Sequence, residues 1–220
     1  MKYRSVFDII GPVMIGPSSS HTAGAARIGR IARKLFNDCP DRVEVTLYGS
    51  FAQTYRGHGT DVALAAGLLG FDASDPRLPD ALTIAAGQRM AVSFNADTET
   101  QVEHPNMARL HLTKGDNVLD LVGASIGGGK IEITEVDGFS ISLSGSNPAL
   151  LVLHRDKYGA VAEVAGLIAK YEMNISYMEV ARHEKGHVAM MVIQTDEEIG
   201  EGLATEISAL PNMLNVAVLS

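Results

Sequence analysis

The feature that most constrains this chain is the order of apolar runs after Ser144-Gly145-Ser146-Asn147-Pro148. ALLVLHRD (149–156) reads as a strand, and GAVAEVAGLIAKYE (159–172) sets Val161, Val164, Ala165 and Ile168 at helical spacing. NISYMEVARHE and HVAMMVIQTD read as two strands about a turn at Lys185-Gly186. GEGLATEISALP (200–211) is then a short helix and NVAVLS a last strand. The order βαββαβ within about 70 residues is a split βαβ pattern.

The stretch before this tail is built differently. A helix is predicted from about Thr22 to Phe36, then a strand over RVEVTLYGS, a helix after Gly59-Thr60-Asp61 and another near Asp80 to Gln88. Strands follow at MAVSFNAD, MARLHLTK, VLDLVGASIGG, GKIEITEVDG and FSISLSG. Helices come early and strands late, which favours an α+β domain over an alternating parallel sheet. The expected organisation is therefore an α+β domain at 1–146 and a ferredoxin-like βαββαβ domain at 148–220, with the Ser-Gly-Ser-Asn-Pro punctuation between them.

Composition removes several function classes. A formal net charge of -8 works against nucleic-acid binding, which needs a basic face. No apolar run approaches the ~20 residues of a membrane helix. Asp8 and Gly11-Pro12 interrupt the N-terminal apolar stretch and argue against a signal peptide. The single cysteine, Cys39, excludes an internal disulfide, agrees with a cytoplasmic location and cannot by itself hold a metal cluster.

The segment with the most chemistry is GPSSSHT, residues 16–22. It leads into a helix with Ser20 and Thr22 as capping candidates. Backbone amides at that N-terminus, with hydroxyls from Ser18, Ser19, Ser20 and Thr22, form a cradle for a carboxylate or phosphate. His21 puts an imidazole beside that anion, an arrangement suited to proton transfer near neutral pH. Ordinary helix capping is the simpler use of such serines. His58 in YRGHGTD and His104 in EHPN are further candidates, against readings as a turn residue tolerant of positive φ and as part of an extended connector before proline. His111, His183 and His187 read as strand or turn residues. Gly127-Gly128-Gly129-Lys130 leads into a strand and lacks the phosphate-loop spacing, so a tight or bulged turn is expected there. Ser18 to Ser20 beside His21 also suggest a hydrolase nucleophile, but no Gly-x-Ser-x-Gly elbow is present.

The tail resembles the ACT family in its short Gly-containing loop, Asp156-Lys157-Tyr158-Gly159, and in the Asn174-Ile175 pair opening its second strand, although it lacks the proline that often precedes that glycine. This resemblance implies an amino-acid-sensing or dimer-forming module, with His154, Asp156, Tyr158, Gly159 and Asn174 lining a ligand site. The same residues could instead supply turn and cap chemistry under a dimer interface.

GPSSSHTAGAARIGR, YRGHGTD, EHPN and SIGGGKIEI, followed by that tail, resemble the beta subunits of two-subunit bacterial iron-sulfur L-serine dehydratases over essentially the whole chain. The first part is similar to the allosteric substrate-binding domain of some phosphoglycerate dehydrogenases. The resemblance implies an L-serine ammonia-lyase that forms pyruvate and ammonia with a [4Fe-4S] cluster ligated by an alpha subunit. On this reading His21, His58 and His104 are acid, base or orienting groups, Ser18, Ser19, Ser20 and Thr22 meet L-serine, and no metal ligand comes from this chain. Homodimerisation through the ACT-like half is expected. The alternative from another class is a non-catalytic, homodimeric amino-acid-binding regulatory module.

Overall fold

A computed structural model describes residues 12–219. The N-terminal stretch carrying Asp8 and Gly11 lies outside the described residues. By its internal contacts the chain divides into Met1–Asp137 and Gly138–Ser220.

In the first unit, a π-helical segment, Ser19–Gly24, runs directly into α1, Ala25–Phe36. There follow β1 (Arg42–Tyr48), α2 (Gly49–His58), α3 (Thr60–Leu68), a 3-10 turn (Leu78–Asp80) and α4 (Ala81–Gly87). Strands β2 (Ala91–Asp97), β3 (Asn106–Lys114), β4 (Asn117–Gly127) and β5 (Lys130–Val136) complete it. Within this unit the sheet order is β2-β1-β3-β4-β5, and β6 (Phe139–Leu143) falls in the second unit. The β1–β2 pair is parallel, whereas β1–β3, β3–β4 and β4–β5 are antiparallel.

Period-two burial fixes which face of the sheet is covered. Val43, Val45 and Leu47 of β1 are buried alternately, as are Ala108, Leu110 and Leu112 of β3. Ile28 of α1 reaches down over Gly123 of β4, where a Cβ would lie 3.1 Å from its Cγ2. Helices α1 and α3 cross at glycines: a Cβ on Gly67 would sit 2.0 Å from the Ala26 carbonyl oxygen, and one on Gly29 2.4 Å from that of Leu64. Backbone meets backbone there, and any side chain would force the helices apart.

The second unit contains β7 (Ala149–Arg155), α5 (Ala160–Lys170), β8 (Ile175–Arg182), β9 (Val188–Thr195), α6 (Glu201–Ser208) and β10 (Met213–Leu219). Its sheet order, β10-β7-β9-β8, is antiparallel throughout. Leu150, Val152, Met191 and Ile193 of the sheet pack with Val164 and Ile168 of α5 and Leu203 and Ile207 of α6. This is the predicted βαββαβ arrangement, and the chain as a whole is α+β.

Three local expectations change. Helical structure begins at Ser19 rather than Thr22, and the cap is Ser18, whose Oγ accepts from the His21 amide, not Ser20 or Thr22. Residues 49–58 form a helix rather than a strand end and loop, because Gly49, at φ 55°, turns the chain from β1 straight into α2. His58 is consequently the last residue of α2, and the positive φ belongs to Gly59, at 67°.

Candidate active site

The π segment brings the polar residues of 18–22 against α2. π-type turns insert an extra residue into a helix and often occur at functional sites. His21 is 9% exposed and has a hydroxyl at each ring nitrogen, with Ser18 Oγ 3.3 Å from Nδ1 and Ser50 Oγ 3.1 Å from Nε2. Its ring meets that of His58 edge-on, with centroids 4.7 Å apart and planes at 88°, and approaches Phe51 at 5.2 Å. Burial lowers the His21 pKa below 6.5, the adjacent His58 adds to that lowering, and the Ser50 backbone opposes it. Both effects disfavour the protonated imidazole. Thr22 Oγ1 donates to the His58 carbonyl at 3.4 Å, tying the end of α2 to the π segment.

The EHPN loop joins from the other side. The Pro105 carbonyl accepts from the amides of Ser50 and Phe51, at 2.7 and 3.4 Å, and so satisfies the N-terminus of α2. The Asn106 amide donates to His104 Nδ1 at 3.1 Å. A backbone N–H can only donate, so Nδ1 is the acceptor and Nε2 is the ring nitrogen left to meet a ligand. Asn106 Nδ2 donates to the Ser125 carbonyl at 3.5 Å, and Ser125 Oγ lies where a Cβ on Gly24 would be, 2.0 Å away. Gly127, Gly128 and Gly129 all have positive φ, forming the tight turn expected of them.

Four sequence motifs separated by tens of residues thus meet around the π segment. Among the described residues the buried polar atoms without a hydrogen-bond partner are His58 Nδ1, Thr60 Oγ1, Asn106 Oδ1 and Ser125 Oγ in the first unit and His154 Nε2 in the second. Such groups are costly and rare in a merely structural core, and the four of the first unit belong to the motifs that carry His58 and His104 or to the strand that meets them. Ser50, Thr60, Asn106 and Ser125 were not candidates from sequence. Reading RVEVTLYGS as one strand hid Ser50, and only the tertiary fold shows the others.

Ser18, Ser19 and Ser20 are half-buried. Arg30 pairs with Asp72, and burial together with Arg30 lowers the Arg27 pKa. Both arginines line a separate cleft of about 220 Å³ with Ala23, Phe71 and Gly129. Among the described residues no group of three or more His, Cys, Asp or Glu side chains is placed to hold a metal ion, and no helix is long and apolar enough to cross a membrane.

In the second unit the candidates behave differently. Asp156 accepts from Arg182 Nη1 at 3.1 Å and the Gly186 amide at 2.9 Å, and these bonds hold its carboxyl below the ordinary 3.8. Asn174 donates through Nδ2 to Asp196 and through its amide to Glu197, and Gly159 opens α5 at φ 88°. Tyr158 is fully exposed, whereas His154 is 2% exposed, with Nδ1 2.9 Å from the Arg155 carbonyl.

Residues 5–136 match the family model described as serine dehydratase beta chain, and residues 149–212 match the ACT domain model. The chain is 53% identical over its whole length, and the whole of the relative's, to the probable L-serine dehydratase beta chain of Bacillus subtilis (strain 168). It is 31% identical to the L-serine dehydratase beta chain of Peptoniphilus asaccharolyticus over 92% of each chain. It is also 32% identical to L-serine dehydratase 2 of Escherichia coli (strain K12), over 96% of this chain and 51% of that protein. Full-length identity and the family match agree with the convergence of GPSSSHT, YRGHGTD, EHPN and SIGGG: the chain belongs to the serine dehydratase beta chain family and carries an ACT domain.

Proposed function

We propose that this chain is the beta subunit of an L-serine ammonia-lyase, converting L-serine to pyruvate and ammonia together with an alpha subunit. The carrying observation is the set of three histidines and unpaired buried polar atoms around the Ser19–Gly24 turn. The reaction removes the serine Cα proton and expels hydroxide, and the resulting enamine tautomerises to an imine that hydrolyses. Neither the proton nor the leaving group departs readily without an acid–base pair.

The serine carboxylate meets the 18–22 loop. Within it, Ser18 holds His21 and Thr22 holds the His58 carbonyl, so Ser19 and Ser20 are assigned the most direct contact. His21, neutral and engaged at both ring nitrogens, orients the loop. His58 and His104 form the acid–base pair, with His104 offering Nε2–H as a donor. A [4Fe-4S] cluster on the alpha subunit supplies Lewis acidity for departure of hydroxide. Cluster ligation takes several thiolates, and Cys39 alone does not fit that task.

We take the domains as 1–146 and 148–220, divided at the Ser144-Gly145-Ser146-Asn147-Pro148 punctuation. The ACT domain pairs two copies and offers an amino-acid site at His154, Asp156, Tyr158, Gly159 and Asn174, supported by the exposed Tyr158 and the buried, unpartnered His154 Nε2. The absence of cystine-forming pairs suits a cytoplasmic enzyme. Anaerobic co-expression with an alpha subunit, an iron count and a serine-dependent pyruvate assay test the reading. Iron and pyruvate formation are expected in the complex, and a complex without either would end it.

A further inference from the structure

We propose that Ser50 is a positioning residue that holds His21 as its Nε2–H tautomer and ties it to the His104 loop; this rests on the reading of His21 as part of the serine site. A serine in the first turn of a helix ordinarily turns its hydroxyl to nearby backbone. The Ser50 hydroxyl instead lies 3.1 Å from a ring nitrogen 29 positions away in sequence, and the N-terminus of α2 is satisfied by the Pro105 carbonyl.

One donor at this ring cannot reverse. The His21 backbone amide donates to Ser18 Oγ at 3.2 Å, occupying an acceptor site on that oxygen. In the arrangement we assign, its hydroxyl proton serves Nδ1, at 3.3 Å, and the ring proton sits on Nε2, donated to Ser50. Ser50 also donates its amide to Pro105, between His104 and Asn106. One residue therefore orients the His21 ring through its side chain and anchors the His104 loop through its backbone. A side-chain substitution separates the two roles, because it leaves the amide in place.

Long-range proton–nitrogen NMR of the full chain reads the tautomer directly. The two His21 ring nitrogens are expected at well-separated shifts in the wild type, moved toward their average in Ser50→Ala and restored in Ser50→Thr. Ser50→Cys, close in volume but a weak hydrogen-bonding partner, replaces alanine should that variant unfold. Unchanged ring shifts on loss of the hydroxyl overturn the proposal. In the enzyme assembled with its alpha subunit, Ser50→Ala is expected to lower kcat about tenfold with KM nearly constant. The same change should have no further effect in a His21→Ala background, and independent, multiplicative losses in the double variant also overturn it. Wild-type turnover by His21→Ala would instead remove His21 from the reaction, and the ring shifts would still decide whether Ser50 sets its tautomer.

Discussion

Two loop-to-helix junctions in this molecule use similar residues to different ends. At residues 18–25 the polar side chains engage one another and distant motifs: Ser18 and Ser50 meet His21, and Thr22 meets the His58 carbonyl. At residues 154–160 Asp156 is spent on Arg182 and the Gly186 amide, while α5 begins at Gly159 with no side-chain cap. The lesson lies in burial: the first set of bonds surrounds a buried imidazole, whereas the second lies at the exposed surface.

The sharpest way to break this contrast is by substitution on each side. His58→Ala, assayed with the alpha subunit, should lose about 10²–10⁴-fold in kcat, the range of a lost acid–base group. Asp156→Asn should keep turnover within about twofold, since its partners are a surface arginine and a turn amide. Equal losses would put the second junction into the chemistry.

Glycines separate the two regions by stability. Gly67→Ala drives a methyl into the Ala26 carbonyl and should cost about 1–3 kcal/mol in a denaturant titration. Gly166 lies within α5, and a methyl group there would meet nothing within 4 Å, so Gly166→Ala should stabilise by about 1 kcal/mol. A destabilised Gly166→Ala would reveal packing on that face of α5.

Acid should also affect the junctions in sequence. His21 is held below 6.5 by burial, so unfolding takes up a proton once pH drops below 6.5. Its contribution to stability is complete above that value and is lost as pH falls toward the folded-state pKa. A His21→Gln variant should lack that step in melting temperature. Asp156 is depressed below 3.8, so its contribution persists above 3.8 and is lost only as pH falls through its lower folded-state value. The smallest expected effect is local: Asp156→Asn should speed hydrogen exchange at the Gly186 amide without moving the global transition.

Much of this was legible in the sequence where the signal was local. The βαββαβ tail follows from periodicities within about ten residues, and the histidine motifs stood out by their glycine and serine surroundings. Helix α2 was not legible, because β1 passes into it without a linker and only Phe51 and Ala52 are buried along it, leaving a faint apolar period. Ser50, Asn106 and Ser125 escaped notice for a different reason. Each is ordinary in its own neighbourhood and gains meaning only when the Pro105 carbonyl closes on the start of α2.

The π-helical turn at Ser19–Gly24 gives the length of the serine run a geometric meaning. Ser18 stands three positions before His21, and removing one serine from the run would put Pro17 there instead. His21 would then lose the hydroxyl that meets both its amide and its ring, with no change in its own chemical identity. The number of serines, as much as their hydroxyls, is what aims the imidazole.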